Sequence, residues 1–554
     1  MSIDIETYRL KAQEAIEYVF VKEYHNSLGI PMPIVKMLLP DDANYSTGQY
    51  YITIDKTWQI HLNFGKLPIS YHEFQNEVKV LTRHEIEHYM CCPFDVITHF
   101  RMLKRIRDVY YKHFSHLGIN IEYACGAISN QAADIIVDTK NYYRHSKETL
   151  KSEIDWIKIG ANISACPRHC KLMFLTKEAI WKEDLGINET DPDFLKIVHQ
   201  LADSFTKNGI EDKSSFLDKV EEYAEIFFKL YVEDQKNPQQ SSQQGSQQQS
   251  GQWGVGRPKD GDEHGNAFVF AGPDKVKEAI EVLAEETSVE EFIDLLAIAG
   301  IIGMSDKQKG VLWFNVQSAN IIPIVEFSNT GNKSSYTYPS VWRIGDPIEE
   351  LDLMLTYMTS PRLIPGMTTK KWEYVSNDDN GTESKQMDLL LVVDTSGSMG
   401  SAMKESANMH QAVLASYGIL SYFESTKSKV AFIGFSDKID AYVDWSDKYD
   451  DVRERLLTNG HGGTKFPISR IKSTLDVRSR DLVTVLITDG DLGNINESVS
   501  YFRDYLNDDN KLYIFLLGGS KSLHSYEPLK NIGAKIYNAN NANEFCDMVL
   551  TDME

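Results

Sequence analysis

The stretch Leu389-Leu390-Leu391-Val392-Val393-Asp394-Thr395-Ser396-Gly397-Ser398 decides the architecture of the last third of the chain. Its first five residues are continuously apolar, which suits a strand buried on both faces. The run then breaks into a carboxylate, hydroxyls and a glycine, so the strand carries hard oxygen donors to the carboxyl edge of a sheet. Open α/β sheets place their ligand sites at that edge. Oxygen-only ligation suits Mg²⁺ or Ca²⁺ and offers little to a soft metal. Asp394 is expected to face this loop edge and not the core. Taken alone, the stretch also reads as a Ser/Gly-rich turn after a strand. Two further loops speak against that. Thr464 follows Gly462-Gly463, and Asp489 ends a second apolar run, Leu482 to Ile487, in the turn Thr488-Asp489-Gly490.

Strands and helices alternate through the whole of this region. Strands are expected at Asp388–Val393, Lys429–Phe435, Lys438–Val443, Leu482–Thr488, Lys511–Leu517 and Ala534–Tyr537. Helices are expected at Glu405–Glu424, near Lys448–Leu457, at Phe466–Thr474 and Asn496–Leu506, and near Ala542–Asp552. The alternation specifies a doubly wound α/β sheet with right-handed crossovers. Asp394, Ser396 and Ser398, then Thr464, then Asp489, resemble the metal-ion-dependent adhesion site (MIDAS) of the von Willebrand factor A family. The resemblance covers residues 387–554 and implies a Rossmann-like von Willebrand A domain holding Mg²⁺, with Ca²⁺ or Mn²⁺ as substitutes. In integrin-like members the cation keeps an open position that a protein partner fills with its own Asp or Glu. Intracellular bacterial members commonly work with hexameric AAA+ ATPases of the MoxR or magnesium-chelatase type, and the resemblance implies such a partner here.

The other end of the chain carries a second pattern. Asp4 to Tyr24 has the periodicity of an amphipathic helix, and Gln49 to Asp55 and Thr57 to Phe64 read as strands. Phe74, Val78, Leu81 and His88 set up a helix that Pro93 stops, and it contains His84-Glu85-Ile86-Glu87-His88. Residues four apart share a helix face, so His84 and His88 can hold one Zn²⁺ through imidazole nitrogens. Glu85 sits beside that face, close enough to take a proton from a water at the metal. The plain alternative is a polar helix face with two ordinary histidines. With the strands before it and the acids after it, this region resembles the zincin metallopeptidases. Within them it looks most like the predicted metallopeptidase domains of bacterial proteins that also carry a von Willebrand A domain. One zincin subgroup draws its third ligand from a second helix bearing E-x-x-x-D, and Asp134-Ile135-Ile136-Val137-Asp138 is the match, with Asp in place of Glu. By this resemblance Asp134 ligates zinc and Asp138 hydrogen-bonds His84 or His88 from behind. The shorter Asp demands a closer helix; otherwise the pair is a solvated acidic face. Cys166-Pro167-Arg168-His169-Cys170 has ligand-like spacing, but no second cluster of matching spacing closes a four-ligand site except through Cys91, Cys92 or Cys125, so buried thiols are expected. Tyr142, Tyr143 and His145 are candidate oxyanion donors or core residues.

Composition constrains the rest. Lys+Arg total 57 against Asp+Glu 80, a net charge of −23, which repels nucleic-acid phosphates. No apolar run is long enough to span a bilayer. The N-terminal residues lack the pattern of a signal peptide, and six cysteines in 554 residues make no disulfide framework, so a cytoplasmic home is expected. The expected organisation is an α+β zincin-like domain over 1–232, a Gln/Ser/Gly-rich flexible linker over 233–267, a small mixed scaffold subdomain over 268–386, and the von Willebrand A domain over 387–554. Limited proteolysis is expected to cut first between about Asp234 and Gly265 and to leave two stable fragments; resistance there means that the tract is packed. Two functions fit this organisation: a zinc metallopeptidase whose von Willebrand A domain recruits an ATPase or client protein through Mg²⁺, or a non-enzymatic adaptor with a degenerate or structural zincin domain. A chelatase-like subunit fits less well, since the acidic, proline-rich linker and ATPase-like domain expected of one are missing.

Overall fold

The computed structural model describes residues 5–26, 28–29, 31–38, 50–54, 59–64, 70–159, 163–236, 273–301, 303–319, 336–343, 369–374, 387–478, 481–490, 492–508, 510–518 and 524–539. Most of the expected linker and the expected closing helix near Ala542–Asp552 lie outside these residues. The chain divides into two compact units, one of residues 1–287 with 291–304 and one of residues 288–290 with 305–554.

In the first unit, helix α1 (Ile5–Glu17) runs into a π-helical turn, Tyr18–Glu23. Strands β1 (Ile34–Met37), β2 (Tyr50–Ile54) and β3 (Gln59–Phe64) form a sheet of order β1-β3-β2, with β1 parallel and β2 antiparallel to β3. The sequence reading does not anticipate β1, whose four residues follow closely on Pro31 and Pro33 and look like a break. Helix α2 (Tyr71–Met90) starts at a capping box: Ser70 Oγ accepts from Glu73 N, and the Glu73 carboxylate accepts from Ser70 N. Phe74, Val78 and Ile86 line its fully buried face against Tyr8, Ala12, Ile16 and Val19. Each such large side chain contributes about 1.5–3 kcal/mol by burial.

Further along this unit come α3 (Val96–Val109), α4 (Ile121–Ile159), α5 (Arg168–Trp181), α6 (Pro192–Thr206) and α7 (Phe216–Lys236). The backbone of α4 leaves helical geometry at His145 (φ −136°, ψ 47°). Helix α7 runs past 233, where the linker is expected to begin, because Arg168 holds Glu233 and Asp234 at 2.9 Å each. Helix α8 (Pro273–Glu286) and most of α9 (Val289–Ile298) also belong here. Arg101 Nε donates to Glu286 at 3.0 Å and Arg107 Nη2 to Asp294 at 2.7 Å. The segment expected as one scaffold subdomain over 268–386 is therefore shared between the two units.

In the second unit, α10 (Asp306–Ala319) packs on α11 (Asn408–Ser425), with Trp313 and Phe314 against His410. A two-stranded ribbon, β4 (Tyr336–Val341) with β5 (Lys370–Tyr374), precedes the large sheet. That sheet comprises β6 (Asp388–Asp394), β7 (Val430–Phe435), β8 (Ile439–Ser446), β9 (Leu482–Thr488), β10 (Lys511–Leu517) and β11 (Lys535–Ala539), in the order β11-β10-β9-β6-β7-β8. All neighbours are parallel except β8, an antiparallel edge. Counted from β6, the order reads 3-2-1-4-5-6, that of a Rossmann-like doubly wound sheet. Leu389 to Val393 have no exposure at all, as two-sided burial of a central strand requires. Helices α12 (Tyr449–Leu456), α13 (Ile468–Leu475) and α14 (Val499–Asn507) lie within a few residues of their expected places. Among the described residues, no helix is long and apolar enough to cross a membrane.

Candidate metal centres

Helices α2 and α4 lie side by side in the first unit, and four residues of α2 tie them together through polar contacts. Arg83 Nη1 pairs with Glu148. His84 Nδ1 lies 2.7 Å from Asp138 Oδ1. Glu87, with no exposure, meets Lys140 Nζ at 2.8 Å and Arg144 Nη1 at 3.0 Å. His88 Nε2 lies 3.2 Å from Asp134 Oδ1. Arg83 also forks onto both oxygens of Glu23, and Tyr24 donates to Glu87, so the turn after α1 braces the same pair of helices. A charge this deeply buried is tolerated only when its partners are in place, which makes the spacing of α2 and α4 well determined.

Between those braces, His84, His88 and Asp134 converge. The Nε2 atoms of the two rings are 3.1 Å apart, and Asp134 Oδ1 lies 3.2 Å from that of His88 and 3.6 Å from that of His84. Nitrogen and oxygen donors around a tetrahedral Zn²⁺ stand about 3.3–3.6 Å from one another, as bonds of about 2.0–2.2 Å dictate. Each ring has its Nδ1 committed elsewhere: His84 to Asp138, His88 to the Cys92 carbonyl at 2.9 Å. Both Nε2 atoms are thereby turned inward. Asp134 Oδ1 is buried and accepts no hydrogen bond among the described residues, while Oδ2 receives Asn130 at 3.0 Å. Two imidazoles and a carboxylate with one oxygen in reserve form a donor set that fits zinc and leaves room for a fourth ligand.

The field at this point is strongly negative. Burial by itself lowers the affinity of His84 for a proton, but Asp138 first, then Asp134 and Glu85, outweigh it and push its pKa up to about 10. Surroundings that attract a proton attract a metal cation by the same physics. Asp138 is held below the usual carboxylate range, because Lys177 and then His84 overcome the opposing effect of burial. Glu85 is buried and follows His84 directly on α2. The sequence leaves open whether Asp138 serves His84 or His88; the geometry assigns it to His84.

Other candidates are placed elsewhere. Tyr142 donates to Glu183 at 2.9 Å and stacks on Trp181. Tyr143 is exposed, and His145 lies 3.9 Å from Glu23. Cys91, Cys92 and Cys125 are buried thiols, and Cys166 and Cys170 are partly buried. Among the described residues, the grouping of His, Cys, Asp and Glu that can hold a metal is His84, His88 and Asp134.

The second constellation sits where the strand order of the large sheet reverses, between β6 and β9. Ser396 Oγ is 3.1 Å from Ser398 Oγ, which donates to Asp489 Oδ1 at 2.9 Å. Asn408, at the start of α11, donates to Asp489 Oδ2 at 3.0 Å. Asp394, the last residue of β6, is fully buried and not open to solvent: Ser396 N donates to its Oδ1 at 2.9 Å and Thr488 Oγ1 to its Oδ2 at 2.6 Å. Burial raises the pKa of Asp394, and Asp489 adds to that against the pull of Thr488 and Ser396. A divalent cation beside both carboxylates would offset their like charge, and the set of hard oxygens suits Mg²⁺. Ser398 is exposed, so the site opens to solvent. Thr464 lies in the adjoining loop, which reaches the first one where Gly397 N donates to the Gly462 carbonyl at 3.3 Å. That loop admits no side chain at 460: a Cβ there would stand 2.4 Å from Asp440 Oδ2 and 2.6 Å from the Thr395 carbonyl oxygen.

No family model matches the chain, and no curated protein matches it. Among solved structures, it is similar to the crystal structure of the conserved hypothetical protein BatB from Bacteroides thetaiotaomicron, over 30% of this chain and 97% of that one, at 13% identity and a TM-score of 0.26. A likeness of that size carries no argument about fold or activity.

Proposed function

We propose that the first unit is a zincin-like, zinc-dependent peptidase and that the second is a von Willebrand A-type docking domain, with a MIDAS that binds a protein partner through Mg²⁺. The observation that carries the enzymatic half is the convergence of His84, His88 and Asp134 with Glu85 adjoining them. His84, His88 and Asp134 would hold Zn²⁺, which when bound supplies a Lewis acid for water and for a peptide carbonyl. Glu85 takes the proton of the attacking water at its carboxylate and passes it to the leaving amine. Lys140 and Arg144 keep Glu87 from competing for either role by holding it in ion pairs.

The docking half rests on the reversal of strand order at β6 and β9, the antiparallel edge β8, and the hydroxyl–carboxylate chain through Ser396, Ser398 and Asp489. Residues Asp394, Ser396, Ser398, Thr464 and Asp489 would hold Mg²⁺ directly or through water. A hard cation with few anionic ligands gains from a carboxylate brought by the partner. The resemblance of this domain to intracellular bacterial ones points to a MoxR-type AAA+ ATPase or its client as that partner.

Metal analysis tests the enzymatic half. The full-length protein is expected to purify with about one tightly held Zn²⁺ per chain, and Asp134→Ala to lower that occupancy while His84 and His88 are intact. A zinc-free wild-type protein that folds normally overturns the peptidase reading and leaves a non-enzymatic adaptor.

A further inference from the structure

We infer that Lys177, on a helix outside both motifs, is the positioning residue of the proposed zinc centre: its ammonium fixes one oxygen of Asp138 so that the other stays aimed at His84 Nδ1. The inference rests on the zinc reading above and adds a residue to it. Lys177 is 2% exposed, and its Nζ stands 2.6 Å from Asp138 Oδ2 and 2.9 Å from Glu153 Oε1. Asp138 Oδ1 in turn lies 2.7 Å from His84 Nδ1. A lysine buried this far costs several kcal/mol unless it is fully paired, and a methionine or leucine would fill the same space without that cost.

Hydrogen-bond polarity gives the lysine its purpose. An ammonium donates and cannot accept, so Asp138 Oδ2 is an acceptor, and the carboxylate presents its second oxygen as an acceptor to His84 Nδ1. That arrangement keeps a proton on Nδ1 and leaves Nε2, the atom that faces His88 and Asp134, as the nitrogen presented to a metal. Two contacts hold Lys177 in place. Glu153 takes a second donor from its Nζ, and one turn further along α5 Trp181 Nε1 donates to Thr139 Oγ1 at 3.0 Å, fastening α5 to α4 next to Asp138.

The test is zinc affinity by chelator competition on the full-length chain, compared among wild type, Lys177→Met, Lys177→Arg, Asp138→Ala and the Asp138→Ala/Lys177→Met pair. Lys177→Met is expected to weaken zinc binding about 10–100-fold, as losses behind a ligand do, and Lys177→Arg to recover part of it. Once Asp138 is Ala the clamp has no side-chain oxygen to hold, so adding Lys177→Met is expected to change affinity by less than about twofold. Lys177→Met with wild-type affinity overturns the inference and leaves the zinc reading intact. A further loss of about tenfold in the Asp138→Ala background also overturns it, since Lys177 would then act by another route. Should Lys177→Met alone not fold, the comparison of Asp138→Ala with the double variant decides by the same criterion. A wild-type protein that takes up no zinc is a different result: it overturns the zinc reading, and this inference with it.

Discussion

Glu85→Gln is expected to leave the zinc content of the purified protein at its wild-type level while lowering peptide hydrolysis by roughly 10²–10⁴-fold. The substitution keeps size and shape, which matters because Glu85 is only 8% exposed. The neutral amide cannot take up the proton of an attacking water, so the reaction loses its base. Zinc is retained because the three groups that converge are His84, His88 and Asp134, not Glu85. The amide also removes one negative charge from beside His84, a small change against the carboxylates of Asp138 and Asp134 that dominate there. Elemental analysis and cleavage of a fluorogenic peptide mixture, run on the same preparation, check the two halves separately. Hydrolysis that survives in the variant at the wild-type rate rejects Glu85 as the base. Zinc lost together with activity makes Glu85 part of the metal site and not the base beside it.

The residues that sequence reasoning could find are those whose chemistry is written in local spacing. His84 and His88 share a helix face because they are four apart, and so do Asp134 and Asp138. The strands of the large sheet were legible because two-sided burial forces continuous apolar runs, and Leu389 to Val393 and Leu482 to Ile487 are such runs. What escaped is what depends on a third element. Lys177 reads as one more surface lysine on α5 until the packing of α5 on α4 brings it to Asp138. Thr488 reads as a strand end and Asn408 as one more position of a helix, yet one donates to Asp394 and the other to Asp489. The ion pairs of Glu87 were hidden for a related reason: the H-E-x-x-H pattern singles out positions 84, 85 and 88, and the middle acid looks like filler.

Domain boundaries were harder for another physical reason. A change in composition marks where a chain ceases to bury apolar surface, but it does not say which body the next helix joins. Helix α8 follows the Gln/Ser/Gly tract yet belongs with the unit before it, where Arg101 meets Glu286. Helix α10 turns the other way, with Trp313 and Phe314 against His410. Helix α8 has an apolar stripe, which does not name its partner, and α10 has none to read, since it buries Lys309, Gly310 and Ser318 together with Trp313 and Phe314.

Asp394→Asn is expected to abolish the Mg²⁺-dependent rise in thermal midpoint of the full-length protein and to weaken Mg²⁺ binding by calorimetry on the order of 10²-fold. The choice of Asn over Ala follows from burial. Asp394 accepts from Ser396 N and Thr488 Oγ1 with no exposure to water, so Ala would strand two buried donors at about 1–3 kcal/mol each. Loss of binding in Asp394→Ala would then be indistinguishable from loss of the loop. Asn keeps both contacts, because its oxygen accepts from Ser396 N and its amide donates to the Thr488 hydroxyl, which serves equally as acceptor. What it removes is the charge. The remaining oxygens, Ser396, Ser398 and Asp489, then carry one negative charge toward the cation, too few to displace its hydration shell. A midpoint without Mg²⁺ that matches wild type shows that the fold is kept. Equal Mg²⁺ affinity in the two proteins would mean that the cation, if bound, sits away from Asp394, and the docking site assigned to this edge of the sheet would have to be given up.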